Sequence, residues 1–278
     1  MIVASDLDRT LMYSARAMSE LGGIEETKLT GVEWMDGRWT GFMTNKAYEN
    51  LKNLSAQALF IPVTTRTTEQ FNRFVIFKED IPLSYAITTN GAVILYHGEP
   101  LEDWSDYILE KMKSESAPMD EMFAVLKQEG FCFTGTLRSV ENLFFYYTLT
   151  SSFSSVDKNN LQTLASMYGW RISLQGRKLY LIPKSISKGA ALDYICQKEG
   201  MKTIAGAGDS LLDWDFLKNC SYRFVPIHGE LKNLSETYDF TIIDQSGIMA
   251  GEVILREFQR LFRFNNDFFN QKEIKTGK

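Results

Sequence analysis

The chain of 278 residues has little cysteine, histidine or proline: three, two and six respectively. Cys132, Cys196 and Cys220 stand at no metal-ligand spacing. A sparse, odd set of this kind reads as reduced thiols and points to the cytoplasm. Neither His97 nor His228 lies in an Arg-His-Gly context, which excludes a histidine-based phosphatase and leaves both as ordinary surface or loop residues. There is no Gly-x-x-x-x-Gly-Lys-Ser/Thr, so a P-loop nucleotidase is excluded too. Basic residues do not prevail. Thirty Lys and Arg face 35 Asp and Glu, for a net charge of -5, which argues against phosphate-backbone binding and so against a nucleic-acid partner. No apolar run reaches the roughly 20 residues of a membrane span, and no basic-then-apolar signal segment is seen at the start. A soluble, cytoplasmic protein without a membrane partner is expected. Repeats and low-complexity linkers are absent.

What is present is a well-packed composition, 44% hydrophobic and 13% aromatic. The length allows two compact domains or one large one. The chain opens with Ile2 to Ala4, a short apolar run that reads as a buried parallel strand. Two acids one residue apart, Asp6 and Asp8, follow it, and Thr10 comes two further on. In an open α/β sheet, ligands bind at the carboxyl ends of strands. Two acids there repel one another unless something positive sits between them. A divalent cation with oxygen ligands is the usual solution. A lone Asp-x-Asp is more often a solvated turn, so its weight comes from the motifs that follow it.

Next, 32–42 reads as a hairpin turning at Asp36-Gly37. Thr44 or Asn45 can cap a helix to about Ser55. A second buried strand, 58–63, leads into Thr64-Thr65-Arg66-Thr67, and the capping-box pattern Thr67-x-x-Gln70 starts a helix expected to reach Phe77. A strand over 85–89 stops at Asn90-Gly91. From there, alternating strand-like runs mix with helical ones up to Pro183, an α+β block. Strand-helix alternation then resumes, with helices over 188–198, 211–217 and 248–262 and strands over 203–207, 223–226 and 240–243. The reading is an α/β fold: a Rossmann-like, doubly wound parallel sheet formed by residues 1–89 and 184–278, with an α+β cap inserted at 90–183.

Three further stretches fall at strand ends or helix starts of that core. Thr64 and Thr65 end a strand where free N–H groups and a helix dipole suit an anion. Lys188 follows Ser187 at a helix start, where a cation is electrostatically misplaced unless an anion accompanies it. Gly206-Ala207-Gly208-Asp209 follows an apolar strand, with Asp213 four residues beyond Asp209. Each signal is weak by itself: hydroxyls are commonly mere caps, and a lysine at such a place is commonly surface.

In this order the four stretches resemble the motifs of the haloacid-dehalogenase-like superfamily of phosphohydrolases: Asp-x-Asp-x-Thr, a strand-end Thr/Ser, Lys, and Gly-Asp-x-x-x-Asp. The likeness runs from Asp6 to about Gly251. The large insertion between the second and third motifs resembles the cap of the Cof-type and sucrose-phosphate-phosphatase-like branch. The resemblance implies that Asp6 attacks phosphorus and forms an aspartyl-phosphate, and that Asp8 serves as acid and then base. It implies that Mg²⁺ is held by the Asp6 carboxylate, the Asp8 carbonyl and Asp209, with Asp213 in support. Thr64 and Lys188 would hold the phosphoryl oxygens. Thr65, Arg66, Asn90 and, in the cap, Arg177 are expected to meet the substrate. Three positions depart from the pattern: Arg9 and Thr65 stand where glycine is common, and Leu212 where asparagine is frequent.

The expectation is a Mg²⁺-dependent phosphatase of a small phosphorylated metabolite, a sugar phosphate, working as a monomer or homodimer. Two alternatives are a phosphosugar mutase and a catalytically silent binding protein on the same fold. Retention of two mutually repelling acids argues against the silent protein. In the cap, Arg138, Arg177 and Lys178 are each more simply read as surface charges, and Phe144-Phe145-Tyr146-Tyr147 as strand core rather than a sugar-stacking platform.

Overall fold

A computed structural model describes residues 1–152 and 154–276, with side chains up to residue 262. In chain order the strands are β1 (Ile2–Ser5), β2 (Tyr13–Ser14), β3 (Leu29–Met35), β4 (Arg38–Thr44), β5 (Leu59–Pro62), β6 (Tyr85–Thr88), β7 (Val93–Tyr96), β8 (Glu99–Pro100), β9 (Gly135–Val140), β10 (Phe144–Leu149), β11 (Trp170–Gln175), β12 (Lys178–Pro183), β13 (Thr203–Ala207), β14 (Tyr222–Pro226) and β15 (Thr241–Ile243). The helices are α1 (Ala15–Leu21), α2 (Asn45–Ser55), α3 (Thr68–Phe71), α4 (Ile76–Glu79), α5 (Glu102–Glu115), α6 (Met119–Gln128), α7 (Ser155–Met167), α8 (Lys188–Glu199), α9 (Trp214–Leu217) and α10 (Ile248–Thr276).

The central sheet is parallel, in the order β15-β14-β13-β1-β5. A single parallel bridge, Val63 to Ile87, brings β6 alongside β5. Every residue of β1 is buried, as a strand covered on both faces requires. Its residues alternate between two helix layers. Ile2 and Ala4 pack with Leu192 and Ile195 of α8 and with Phe216 and Leu217 of α9. Val3 packs with Leu51 and Leu54 of α2 and with Ile254 and Phe258 of α10. The sheet is thus doubly wound. The chain leaves β1 toward β5 on one side and returns to β13 on the other, so the switch in strand order falls at the carboxyl end of β1, where Asp6 stands.

The hairpin expected at 32–42 is β3–β4. Asp36 and Gly37 both take positive φ, 51° and 77°, as a tight two-residue turn needs. The helix expected from Thr67 to Phe77 is broken into α3 and α4. Its capping box forms as expected at Thr67 and Gln70. The break arises because Trp34 of β3 donates its N–H to the Arg73 carbonyl at 2.9 Å, diverting that acceptor from a helical ladder. Phe71, Phe74 and Phe77 then pack as one aromatic group.

The four-stranded antiparallel sheet β11-β12-β10-β9 lies between residues 135 and 183. One face carries α6 and α7 residues: Phe123 stacks on Phe145 with ring centres 4.2 Å apart, and Leu161 and Ala165 join the same core. The expected division at residue 90 falls inside the β6–β7 hairpin. β7 runs antiparallel to β6 and β8 to β7, so the chain stays beside the central sheet as far as Pro100.

Candidate active site

Asp6 follows β1, and its N–H donates to the Ala207 carbonyl of β13 at 2.9 Å. That register brings the first motif against the loop after β13, which carries Asp209. Lys188, the first residue of α8, reaches in from the helix that precedes β13. Its Nζ donates to Asp6 Oδ1 at 3.1 Å and to Asp213 Oδ1 at 2.6 Å. Burial works against charge on Lys188, yet the Asp213 and Asp6 carboxylates overcome it and raise its pKa. This answers the electrostatic objection to a cation at a helix start. Thr10 donates from Oγ1 to Asp6 Oδ2 at 3.3 Å.

Asp6, Asp209 and Asp213 each offer a carboxylate oxygen within 4.8 Å of the others. Burial, and then Asp213 and Asp8, push the Asp6 carboxyl up to about 7, although Lys188 opposes the rise. Burial and the Asp6 and Asp213 charges likewise carry Asp209 well above the usual carboxylate range. Asp213 is fully committed within the protein. Its Oδ2 accepts from the N–H groups of Asp209 and Ser210 and from Ser210 Oγ at 2.9–3.1 Å. It therefore braces the loop. Three acids with one lysine between them form an all-oxygen set with unbalanced negative charge, which suits a hard divalent cation.

Asp8 is held apart from this cluster. Both its carboxylate oxygens accept from Arg66, at 2.6 Å from Nε and 2.7 Å from Nη2. Thr64 is buried at the end of the second core strand, and its Oγ1 accepts the Arg66 N–H at 3.1 Å. Thr65 is half-buried beside it. Asn90 is fully buried with φ at 58°, and its N–H donates to the Thr64 carbonyl at 3.1 Å. Its side-chain Oδ1 and Nδ2 have no hydrogen-bond partner, a costly state for a buried amide unless a ligand completes it. Arg177 lies exposed in the turn between β11 and β12.

Near these acids, Tyr13, His228 and Glu33 gave no sign in the sequence, and Arg9 showed there only as a departure from the motif. Arg9, at the position where glycine is common, has φ at 62°, a conformation that costs a side-chain-bearing residue about 1–3 kcal/mol. Its carbonyl accepts from Tyr13 Oη and His228 Nε2, both at 2.8 Å. His228 Nδ1 accepts the Gly247 N–H at 3.3 Å, so Nε2 carries the proton. Burial keeps the imidazole pKa below its ordinary value. Arg9 Nε lies 3.8 Å from Asp209 Oδ2. Glu33 of β3 binds Arg66 from the side opposite Asp8.

The remaining face of the β9–β12 sheet carries, among its cross-strand rows, Ser173, Tyr180, Tyr146 and Arg138. Directly opposed residues share a face. The Tyr146 and Tyr180 rings lie 5.1 Å apart. Burial first, then Tyr146 and the Asp8 and Asp6 charges, raise the Tyr180 phenol, with Lys188 opposing, so Tyr180 lies within electrostatic reach of these three charges. The aromatic run therefore divides: Phe145 packs into the helices, while Tyr146 pairs with Tyr180 on the other face. Arg171 fastens the sheet to the core through Asp215 Oδ2, at 2.6 Å, and the Ile186 carbonyl, at 2.8 Å. Thr89 Oγ1 donates to Glu141 Oε2 at the β9–β10 tip, at 3.1 Å.

A sucrose-phosphatase from Synechocystis sp. PCC6803, solved with sucrose and phosphate, superposes over 93% of this chain and 98% of its own with a TM-score of 0.67 at 16% identity. The fold is that of the haloacid-dehalogenase-like phosphatases. A second solved structure of that superfamily, the subclass IIB sugar phosphatase BT4131, matches over 94% of this chain and 98% of its own, with a TM-score of 0.59 at 14% identity. A curated phosphoglycolate phosphatase of Staphylothermus marinus is 28% identical over 86 residues, 30% of this chain. The match spans about a third of that relative's length, 36%. No family model matches the chain.

Proposed function

We propose that the chain is a Mg²⁺-dependent phosphatase that hydrolyses a small phosphorylated metabolite, a sugar phosphate, through an aspartyl-phosphate on Asp6. The observation that carries this reading is the convergence, at the switch point of a haloacid-dehalogenase-like fold, of Asp6, Lys188, Asp209 and Asp213. Asp6, the Asp8 main-chain carbonyl and Asp209 would hold the cation, with Asp213 bracing their loop. When bound, the cation supplies positive charge against the phosphoryl group.

The chain's own residues do the rest. An Asp6 carboxylate oxygen attacks phosphorus while the bond to the leaving oxygen breaks, and Asp8 supplies the proton that oxygen needs. Asp8 then takes a proton from water, whose oxygen attacks phosphorus and frees Asp6 and inorganic phosphate. Lys188 and Thr64 hold phosphoryl oxygens, charge that needs donors already in place. Thr65, Arg66 and the unpartnered amide of Asn90 line the approach to them.

The leaving group would meet the tyrosine row of the β9–β12 sheet. Phenol rings side by side with Ser173, whose buried Oγ has no partner, suit a ring bearing hydroxyls. Arg177 stands at the end of that sheet. In this reading the cap begins with α5, after the β6–β8 sheet, and ends at Pro183. Free thiols at Cys132, Cys196 and Cys220 fit a cytoplasmic enzyme. Among the described residues no helix is long and apolar enough to cross a membrane.

The test is a screen of phosphorylated metabolites with the purified protein and Mg²⁺, beside Asp6→Asn. Release of phosphate by the wild type and none by Asp6→Asn is expected. Wild-type turnover in Asp6→Asn would overturn the mechanism.

A further inference from the structure

Glu33 belongs to none of the motifs, yet it is buried and ends against Arg66. A regular strand turns successive side chains to opposite faces. In β3, Val32 and Glu33 are both buried in succession, and the pairing with β4 shifts register on each side of Glu33. Such a bulge re-aims a side chain. Two features fix the new direction. Glu33 forms an antiparallel bridge with Phe74. Across the hairpin stands Gly41, where a Cβ would come within 2.8 Å of Glu33 Cβ and 3.0 Å of Oε2; glycine leaves room for the carboxylate.

Glu33 Oε1 accepts from Arg66 Nη1, and Oε2 accepts from Nη2 at 3.2 Å. The other edge of the same guanidinium holds both oxygens of Asp8. The guanidinium plane lies over the Phe74 ring, 4.3 Å from its centre. Arg66 is thus fixed on three sides, and its rigid fork transmits that to Asp8. The Asp8 side chain is 45% exposed, so the packing around it leaves it freedom that the Arg66 fork removes. Burying an acid to hold an arginine is a poor way to gain stability, which directs attention to placement.

We propose that Glu33 is a positioning residue for the reaction: it locks the Arg66 guanidinium so that the fork sets the Asp8 carboxylate where it exchanges protons with the leaving oxygen and water. This rests on the phosphatase reading above. The β3–β4 hairpin thereby becomes part of the active site through one carboxylate.

The test compares Glu33→Ala, Glu33→Gln, Arg66→Lys and the two Glu33–Arg66 double variants, with Mg²⁺ and the best substrate of the screen. Glu33→Ala should lower kcat roughly 10- to 100-fold, within the range general acid–base placement commands, with KM changed less than about 3-fold. Glu33→Gln, which keeps one acceptor, should recover part of the loss. Each double variant should be no worse than Arg66→Lys, because residues of one unit are not additive. A rise in KM at unchanged kcat, or additive losses, would overturn the proposal. A wild type without Mg²⁺-dependent turnover would instead sink the phosphatase reading. Crystal structures of the wild type and Glu33→Ala decide placement without activity. A displaced Asp8 carboxylate supports the proposal, and an unmoved one refutes it.

Discussion

Replacing Lys188 with methionine removes a buried positive charge and nearly keeps its volume. The ammonium lies 3.1 Å from Asp6 and 2.6 Å from Asp213, with a side chain 1% exposed. Removing one partner of such a pair costs about 3–5 kcal/mol. The cost should depend on pH, in a direction the site dictates. Folded, the Asp6 carboxyl is carried from its ordinary value of 3.8 to about 7. Between those values the native state binds more protons than the unfolded chain, so metal-free stability falls as pH rises through that window. The whole displacement corresponds to roughly 4 kcal/mol. Lys188, whose folded pKa is raised, contributes fully below its unfolded value of about 10.4 and loses its contribution only as pH climbs through the folded value. It stays charged throughout the Asp6 window. In Lys188→Met the Asp6 carboxyl loses that ammonium and moves further up, extending the falling limb. Urea unfolding with EDTA, followed by tryptophan fluorescence, should therefore show a loss at about pH 8 that exceeds the loss at about pH 5 by at least ~1 kcal/mol. An equal loss at both values, or none, would refute the coupling of Lys188 to Asp6.

Mg²⁺ should raise the melting temperature of the wild type by mass action on the native state, and Asp209→Ala should lose much of that shift; an unchanged shift means Asp209 is not a ligand. Arg177→Ala, at an exposed side chain, should lower kcat/KM for the sugar phosphate by no more than about fivefold, the loss of one solvated charged contact, and leave a small aryl phosphate nearly unaffected. Equal losses on both substrates would assign Arg177 to the phosphoryl group or to the fold. Gly91→Ala should destabilise by about 2–3 kcal/mol in chemical denaturation, since φ there is +99° and a Cβ would lie 2.3 Å from the Ser187 carbonyl oxygen. A neutral result would mean that the 89–91 turn does not press on the start of α8.

What the sequence by itself determined lies where chemistry is local to a strand end or a helix start. The apolar run before Asp6, the Thr67–Gln70 cap and the Asp36-Gly37 turn all rest on neighbours a few residues away, and each forms as read. The strand-helix alternation before residue 90 and after residue 183 likewise announced an α/β core made from both ends of the chain. What only the tertiary structure decided are relations between distant segments. Glu33 meets Arg66 and Asp8 because a bulge turns it and Gly41 makes room. The helix after Thr67 breaks because β3, some forty residues earlier, claims the Arg73 carbonyl. Strand β7 joins the β6 sheet although its alternation reads like the strands of the cap, since period two names a strand and not its partner. Tyr146 and Tyr180 share a face, and Tyr180 comes within reach of the Asp6 charge, through pairings that no spacing along the chain records. Spacing reports which backbone positions lie on one element; which carboxylate ends beside which cation is decided when the elements pack.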